Sequence, residues 1–160
     1  MQIELFAVGR MKAGAERDLT ERYWSRFSKA APALGMSAGR ILEIAESRGA
    51  TASARQAEES AKLLQFGGDD AALIVLDERG KTLDSMGFSR QLANWRDGGK
   101  RRAVIALGGP DGHDSAAREA ADLMLNLGSM TWPHQIARIL ICEQLYRAVT
   151  ILSGHPYHRV

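Results

Sequence analysis

Residues 103–112 read AVIALGGPDG. Five apolar residues stop at a glycine pair, a proline and an acidic residue. A continuous apolar run of this length, bounded by turn residues, marks a strand covered on both faces. Pro110 stiffens the turn that follows, and Gly108 and Gly109 let other groups approach the backbone. The run AALIVLD (71–77) has the same character. Strands buried on both faces belong to parallel sheets, whose neighbours are joined by helical crossovers.

The chain around these two runs supplies the crossovers. IELFAV (3–8) and RILEIA (40–45) read as two more strands. A helix from about residue 14 to 30 places Leu19, Tyr23 and Phe27 on one face at four-residue spacing. TASARQAEESAKLL (51–64) is Ala-rich and helical, and Ser53 with Gln56 has capping-box spacing. Asp84 or Ser85 caps a helix carrying Phe88, Leu92 and Trp95, which ends at Gly98 and Gly99. Asp114 caps another, with Ala117, Ala120, Ala121, Met124 and Leu125 as its apolar face. GSMTWPH (128–134) is a short strand or loop, and a long helix covers 134–152. The pattern predicts an α/β fold, a mostly parallel sheet with helices on both faces, in one domain over residues 1–160.

The 134–152 helix is apolar around most of its circumference. Ile136, Ile139, Leu140, Ile141, Cys142, Leu145, Val149, Ile151 and Leu152 leave only a narrow polar strip of Glu143, Arg147 and Thr150. Such a helix must be buried on nearly every side. One face is expected on the sheet and the other, including Ile139 and Leu140, on a second subunit. Arg138 falls inside the apolar arc and needs a partner or a ligand there, because an unpaired buried charge is very costly.

Composition narrows the function classes. The 160 residues are 45% hydrophobic and 25% charged, a soluble globular balance, with a formal net charge of +2. A charge that small sets no long-range field toward nucleic acid or a membrane, so RNA binding requires positive charge that is local or assembled by oligomerisation. Lys100-Arg101-Arg102 and Arg22, Arg26 and Lys29 are the candidates. The single cysteine, Cys142, excludes an intrachain disulfide and a cysteine-based zinc site. His113, His134, His155 and His158 lack metal-ligand spacing, so no metal is expected. No signal-peptide pattern or membrane-length apolar run is present, which predicts a cytoplasmic protein with no membrane partner.

The glycine turn is neither a dinucleotide fingerprint nor a phosphate loop. Asp77 and Glu78 offer an acid–base pair or simply solvated carboxylates. In α/β sheets, however, ligands bind beyond the carboxyl ends of strands, where LDERGK and GGPDG both lie. The chain also closes on HPYHR (155–159), where Pro156 restricts the backbone of an end that would otherwise fray.

Four segments taken in order, LDERGK, IALGGPDG, LGSMTWPHQIARILICEQLYRA and HPYHR, resemble the RlmH family of ribosomal RNA methyltransferases, of the SPOUT class. AVGRMK (7–12) fits the family's opening. The family's Leu-Pro-His reads Trp132-Pro133-His134 here. The resemblance implies a C-terminal trefoil knot spanning about 73–160 and a homodimer through the 134–152 helix. It implies S-adenosylmethionine as methyl donor and ring nitrogen 3 of a pseudouridine in helix 69 of 23S rRNA, on the assembled ribosome, as acceptor. Its cofactor contacts fall on Leu76, Gly108, Leu127, Gly128, Ser129, Met130, Thr131 and Trp132.

The acceptor nitrogen must lose a proton, and charge then spreads onto the neighbouring carbonyls. Arg159 suits that charge, Tyr157 can stack on the base or donate to it, and His134, His155 and His158 are bases by type. The alternatives to this reading are a ribosome-associated α/β protein without catalysis and some other nucleotide-binding enzyme.

Overall fold

The computed structural model describes residues 1–158. Arg159, expected at the catalytic site, lies outside the described residues. The elements run β1 (Gln2–Val8), α1 (Ala15–Ala30), a single-turn 3₁₀ segment (Ala31–Leu34), β2 (Ser37–Ile44), α2 (Ala52–Gly67), β3 (Ala71–Thr82), α3 (Ser85–Asp97), β4 (Arg102–Leu107), α4 (Ser115–Ala120), β5 (Leu123–Asn126) and α5 (His134–Leu152). The strands form one five-stranded sheet in the order β2-β1-β4-β3-β5, and every neighbouring pair is parallel.

Period-two alternation divides the core into two layers. Ile3, Leu5 and Ala7 of β1, with Ala103, Ile105 and Leu107 of β4, face α1, α3 and α5. Phe6, Val8, Val104 and Ala106 point the other way, onto Leu63 and Phe66 of α2 and Ala117 of α4. Helices therefore cover both faces, as the continuous apolar runs require. Glu4 interrupts the apolar sequence of β1 and is only 4% exposed. Arg102 donates to its Oε2 from Nε at 3.0 Å and from Nη2 at 2.6 Å, which compensates the buried charge.

Three expectations are corrected. Met124 and Leu125 are not on a helix. α4 ends after Ala120, Ala121 turns extended (φ −71°, ψ 126°), and residues 123–126 form β5 at the sheet edge. Leu123 and Leu125 are buried with period two, and the small residues at 117, 120 and 121 disguised that as a helical stripe. The cap of α2 is Thr51, whose hydroxyl accepts from the Ala54 N–H at 3.1 Å, rather than Ser53. Ile139 does not face outward. It is buried, and the half-exposed stripe of α5 carries Ile136, Leu140, Glu143, Arg147 and Ile151. Much of the apolar circumference is covered within the chain, by α1 and α3 as well as the sheet.

β3 outruns its neighbours. Leu76 and Lys81 both stand opposite Leu125, so residues 77–80 project between two paired segments. The Asp77 carboxylate accepts from the Arg79 N–H at 2.9 Å, and Asn126 Nδ2 donates to the Glu78 carbonyl at 2.8 Å. At Gly80 a Cβ would fall 2.6 Å from the Met124 carbonyl carbon and 2.7 Å from the Leu125 nitrogen. Those are backbone atoms of β5 and cannot swing aside. Gly80→Ala is therefore expected to cost about 1–3 kcal/mol, the usual penalty for overpacking. Urea unfolding checks this, and an unchanged midpoint would mean that β5 moves freely.

Candidate functional site

The carboxyl ends of β3, β4 and β5 meet at one cleft of about 1060 Å³. β3 contributes Leu76 and the 77–79 projection. β4 contributes the glycine turn, and the segment after β5 contributes residues 127–134. All eight residues expected to touch a cofactor line this cleft, although they come from three separate stretches of chain. Its position follows from the parallel sheet, in which every strand delivers its carboxyl end to the same side.

The turn that forms the floor is compact. Gly112 has φ 75° and donates to the Gly109 carbonyl at 2.9 Å. A Cβ on Gly108 would lie 3.1 Å from His113 Nε2 and 3.2 Å from the Gly112 backbone. Bulk at Gly108 thus meets the protein's own turn as well as any ligand. The opposite wall is the 127–132 loop, opened by Gly128 at φ 118°. Gly128 donates to Asn126 Oδ1 at 2.8 Å, and Trp132 Nε1 donates to the Leu127 carbonyl at 3.3 Å. Among the described residues, the backbone N–H groups of Ser129, Met130, Thr131 and Trp132 make no hydrogen bond. Met130 and Trp132 are 69% and 39% exposed. A flat heterocycle with a polar edge suits such a wall, since it needs apolar faces and backbone donors. The residues present therefore fit S-adenosylmethionine.

His134 opens α5 and lines the cleft. Its ring packs on Gly9, where a Cβ would sit 3.5 Å from Nε2. One turn along, Arg138 is 2% exposed and forms an ion pair with Glu43. Arg138 Nη2 donates to the Gly9 carbonyl at 2.9 Å, and Glu43 Oε1 also accepts from the Met11 N–H at 3.1 Å. The partner demanded for Arg138 is thus a carboxylate, and the pair ties the start of α5 to the loop after β1.

Residues 155–158 fold back along α5. The Tyr157 hydroxyl donates to Glu143 Oε1 at 3.0 Å, and Arg147 donates to the same oxygen from Nε at 3.0 Å and from Nη2 at 2.6 Å. The Tyr157 ring centroid lies 4.7 Å from that of Tyr146 and 4.9 Å from the Arg147 guanidinium carbon. Burial, followed by hydrogen bonding to Tyr23 and Glu143, raises the Tyr157 phenol above its ordinary value. None of residues 155–158 lines the cleft of their own chain. The structure thus brings His134, but not Tyr157, to the expected cofactor residues.

Several cleft residues carried little signal in the sequence. Gln56 of α2 reaches in from a distant segment, and Arg118 stands 4.0 Å from the Asp77 carboxylate. His113 is 4% exposed, and its Nε2 has no partner among the described residues. Among the described residues no group of three potential metal ligands occurs, and no helix is long and apolar enough to cross a membrane.

The model of a family described as "Predicted SPOUT methyltransferase" matches residues 1–158. Among curated relatives, the Ribosomal RNA large subunit methyltransferase H of Brucella anthropi is 60% identical over 159 residues, covering 99% of each chain. The protein of the same name from Rhizobium meliloti is also 60% identical over 159 residues with the same coverage. A solved structure, the SpoU methyltransferase AviRb of Streptomyces viridochromogenes with AdoMet, is 15% identical with a TM-score of 0.42. It matches 95% of this chain, which spans only 58% of that longer one. That likeness is too loose to carry a site across.

Burial holds the His113 imidazole below the ordinary histidine value of 6.5, with the nearby Asp77 charge opposing the shift, a backbone hydrogen bond at Ala106 and the Asp114 charge adding to that opposition, and Arg118 reinforcing the shift. The folded protein thus keeps the ring neutral where the unfolded chain takes up a proton. The sign follows: stability is fully present above the unfolded value and is lost as pH falls toward the folded one. Urea midpoints should drop between about pH 7.5 and 5.5, the window around the ordinary histidine value. His113→Gln should flatten that drop. An identical pH dependence in both proteins would mean that His113 is not the group responsible.

Proposed function

This chain belongs to the SPOUT methyltransferase family, and from that premise we propose that it methylates large-subunit ribosomal RNA with S-adenosylmethionine. The acceptor is ring nitrogen 3 of a pseudouridine in helix 69 of 23S rRNA on the assembled ribosome, in the cytoplasm. The observation that supports methylation of large-subunit ribosomal RNA is the 60% identity, over 99% of the chain, to proteins named Ribosomal RNA large subunit methyltransferase H; the pseudouridine acceptor rests on the family resemblance. The glycine-floored cleft agrees with this reading.

The cofactor, when bound, supplies a methyl group already activated on a sulfonium. Catalysis then rests mainly on alignment, which is worth up to about 7–11 kcal/mol in well-oriented reactions. Leu76, Gly108 and the 127–132 loop hold the donor against β3 and β4. Leu127, Met130 and Trp132 would supply apolar walls, and the N–H groups of the loop would be free to donate to the polar edge of the donor's heterocycle. The residues on the acceptor side must remove the imide proton and steady the charge left on the carbonyls. Of the three histidines named as bases by type, His134 lines the cleft, and His155 and His158 lie on the tail. Arg159 supplies the fixed charge, and Tyr157 supplies a ring face or a donor.

The trefoil knot over about 73–160 and the homodimer are part of the same proposal. Tyr157 is held at Glu143, nine residues along α5 from His134, or roughly 14 Å at 1.5 Å per residue. The distance of Tyr157 from its own cleft supports the reading that the tail completes a partner's. Ile136, Leu140 and Ile151, on the same half-exposed stripe of α5 as Glu143 and Arg147, supply the apolar surface for that contact.

Titration with S-adenosylmethionine should give heat with the wild type and none with Gly108→Val, whose side chain has no room beside His113. Arg159→Ala should keep cofactor affinity within a few-fold. Its methylation of ribosomes should fall by about 100-fold or more, the usual loss for one preorganised charge-stabilising donor. Wild-type protein that binds no cofactor, or an Arg159→Ala variant with undiminished turnover, would overturn the corresponding assignment. Leu140→Glu should yield monomers in sedimentation and lose turnover with them. A Leu140→Glu variant that sediments as a dimer would show that the interface lies elsewhere. A net charge of +2 per chain also favours assembled ribosomes over an isolated RNA hairpin, where affinity depends on phosphates neutralised.

A further inference from the structure

α2 lies on the face of the sheet away from α5, yet its first two turns reach the cleft. Residues 55, 56, 59 and 60 fall on one side of the helix as two stacked pairs four apart. All four meet the turn that follows β4. Arg55 Nε donates to Asp111 Oδ2 at 2.7 Å and Nη2 donates to Oδ1 at 3.1 Å, a two-pronged fork on the carboxylate. The third nitrogen, Nη1, donates to the Gly49 carbonyl at 3.1 Å, so the guanidinium itself is fixed. Gln56 Nε2 donates to the Asp111 carbonyl at 2.6 Å. Asp111 is thereby held by its side chain and its backbone. Glu59 lies behind Gly109, where a Cβ would fall 3.2 Å from Oε2 and 2.9 Å from Val8 Cγ1. Ser60 Oγ accepts from the Asp114 N–H at 3.3 Å.

The turn's own hydrogen bonding is sparse by comparison, with Gly112 to Gly109 its one backbone–backbone bond outside the regular elements. A stretch with three glycines in five residues has many accessible shapes and loses much entropy in adopting one. Planar forks fix geometry as well as charge, because both prongs must be satisfied at once. The Arg55 guanidinium also keeps the Asp111 carboxyl below the usual carboxylate range, chiefly through this hydrogen bond, so the fork persists into acid.

We propose that Arg55 is a positioning residue for cofactor binding, whose fork on Asp111 holds the 108–112 turn in the shape that admits S-adenosylmethionine. This rests on the cofactor reading above. Arg55 touches no reacting atom. Its side chain and that of Asp111 are 32% and 27% exposed, so solvent screening keeps the pair's share of global stability small. Its effect falls on the turn.

The test is calorimetric titration of the full chain with S-adenosylmethionine, for wild type, Arg55→Ala, Arg55→Lys, Asp111→Ala and the double alanine variant. Arg55→Ala should weaken binding about 10-fold or more, since misplacing a binding segment by an ångström costs up to about 100-fold. Arg55→Lys keeps the charge but loses the fork, and should recover only part of the affinity. The double variant should be no weaker than either single one, because both remove the same contact. In ligand-free protein, amide exchange over residues 108–113 should quicken in Arg55→Ala while the melting temperature stays within a few degrees. With ribosomes, the KM for S-adenosylmethionine should rise while kcat at saturating cofactor and the KM for ribosomes hold. Wild type that binds no cofactor would overturn the cofactor reading and the positioning role with it. Wild type that binds, beside an Arg55→Ala that binds within two-fold, would overturn the positioning role alone. So would fully additive losses in the double variant, or a general drop in melting temperature that accounts for the lost affinity.

Discussion

Burial of both faces of a parallel sheet is the constraint from which the rest of this structure follows. Residues Ile3 to Val8, Ala72 to Val75 and Ala103 to Leu107 contain no exposed position. Strands of that kind are stable only with helices on each side, and parallel neighbours cannot be joined by tight turns. Every strand therefore delivers its carboxyl end to one edge of the molecule. The loops after β3, β4 and β5 converge there because β4 and β3 are adjacent and β5 pairs beside β3. The cleft is a consequence of topology before any side chain is chosen for it.

A core this apolar makes its polar exceptions informative. Glu4, Arg138 and His113 are each at least 95% buried, and the first two join elements that apolar packing alone would leave free to slide. Glu4 takes the Arg102 fork across β1 and β4. Arg138 spans from α5 to Glu43 on β2 and to the loop after β1. His113 sits beneath the glycine turn. Removing one partner of such a pair costs more than the pair contributes, because the other charge is left in a medium that cannot solvate it. These contacts are better understood as fixing register than as adding stability. Two of them lie within one residue shell of the cleft.

α5 joins the site to the rest of the chain. Its first residue lines the cleft, its second turn holds Arg138, and its middle binds the returning tail through Glu143 and Arg147. Its inward side packs on the sheet, α1 and α3, and its half-exposed stripe mixes apolar and charged groups. A helix committed in so many directions tolerates few substitutions, which accounts for a hydrophobic pattern without a clean amphipathic period.

The sequence by itself determined the parallel α/β class, the extents of α1, α3 and α5 to within a residue or two, the Asp114 cap, a cap of α3 at Asp84 or Ser85 that the structure resolves to Asp84, and the glycine turn that floors the cleft. These are local: apolar periodicity, capping chemistry and turn residues act over a few positions, and each leaves its mark in composition. The family resemblance named the eight cleft residues, but nothing in their spacing brought 76, 108 and 127–132 together. Tertiary structure decided that, along with the identity of β5. Its four residues are too few to outvote a run of small residues that fits a helix equally well. Tertiary structure also chose Thr51 over Ser53 as a cap and turned Ile139 inward and Leu140 outward on a helix apolar almost all round. It matched Arg138 to Glu43 and Arg55 to Asp111 across 95 and 56 positions of chain. Long-range pairing of single charged residues has no period and no composition, so it becomes legible only when the sheet has fixed which ends meet.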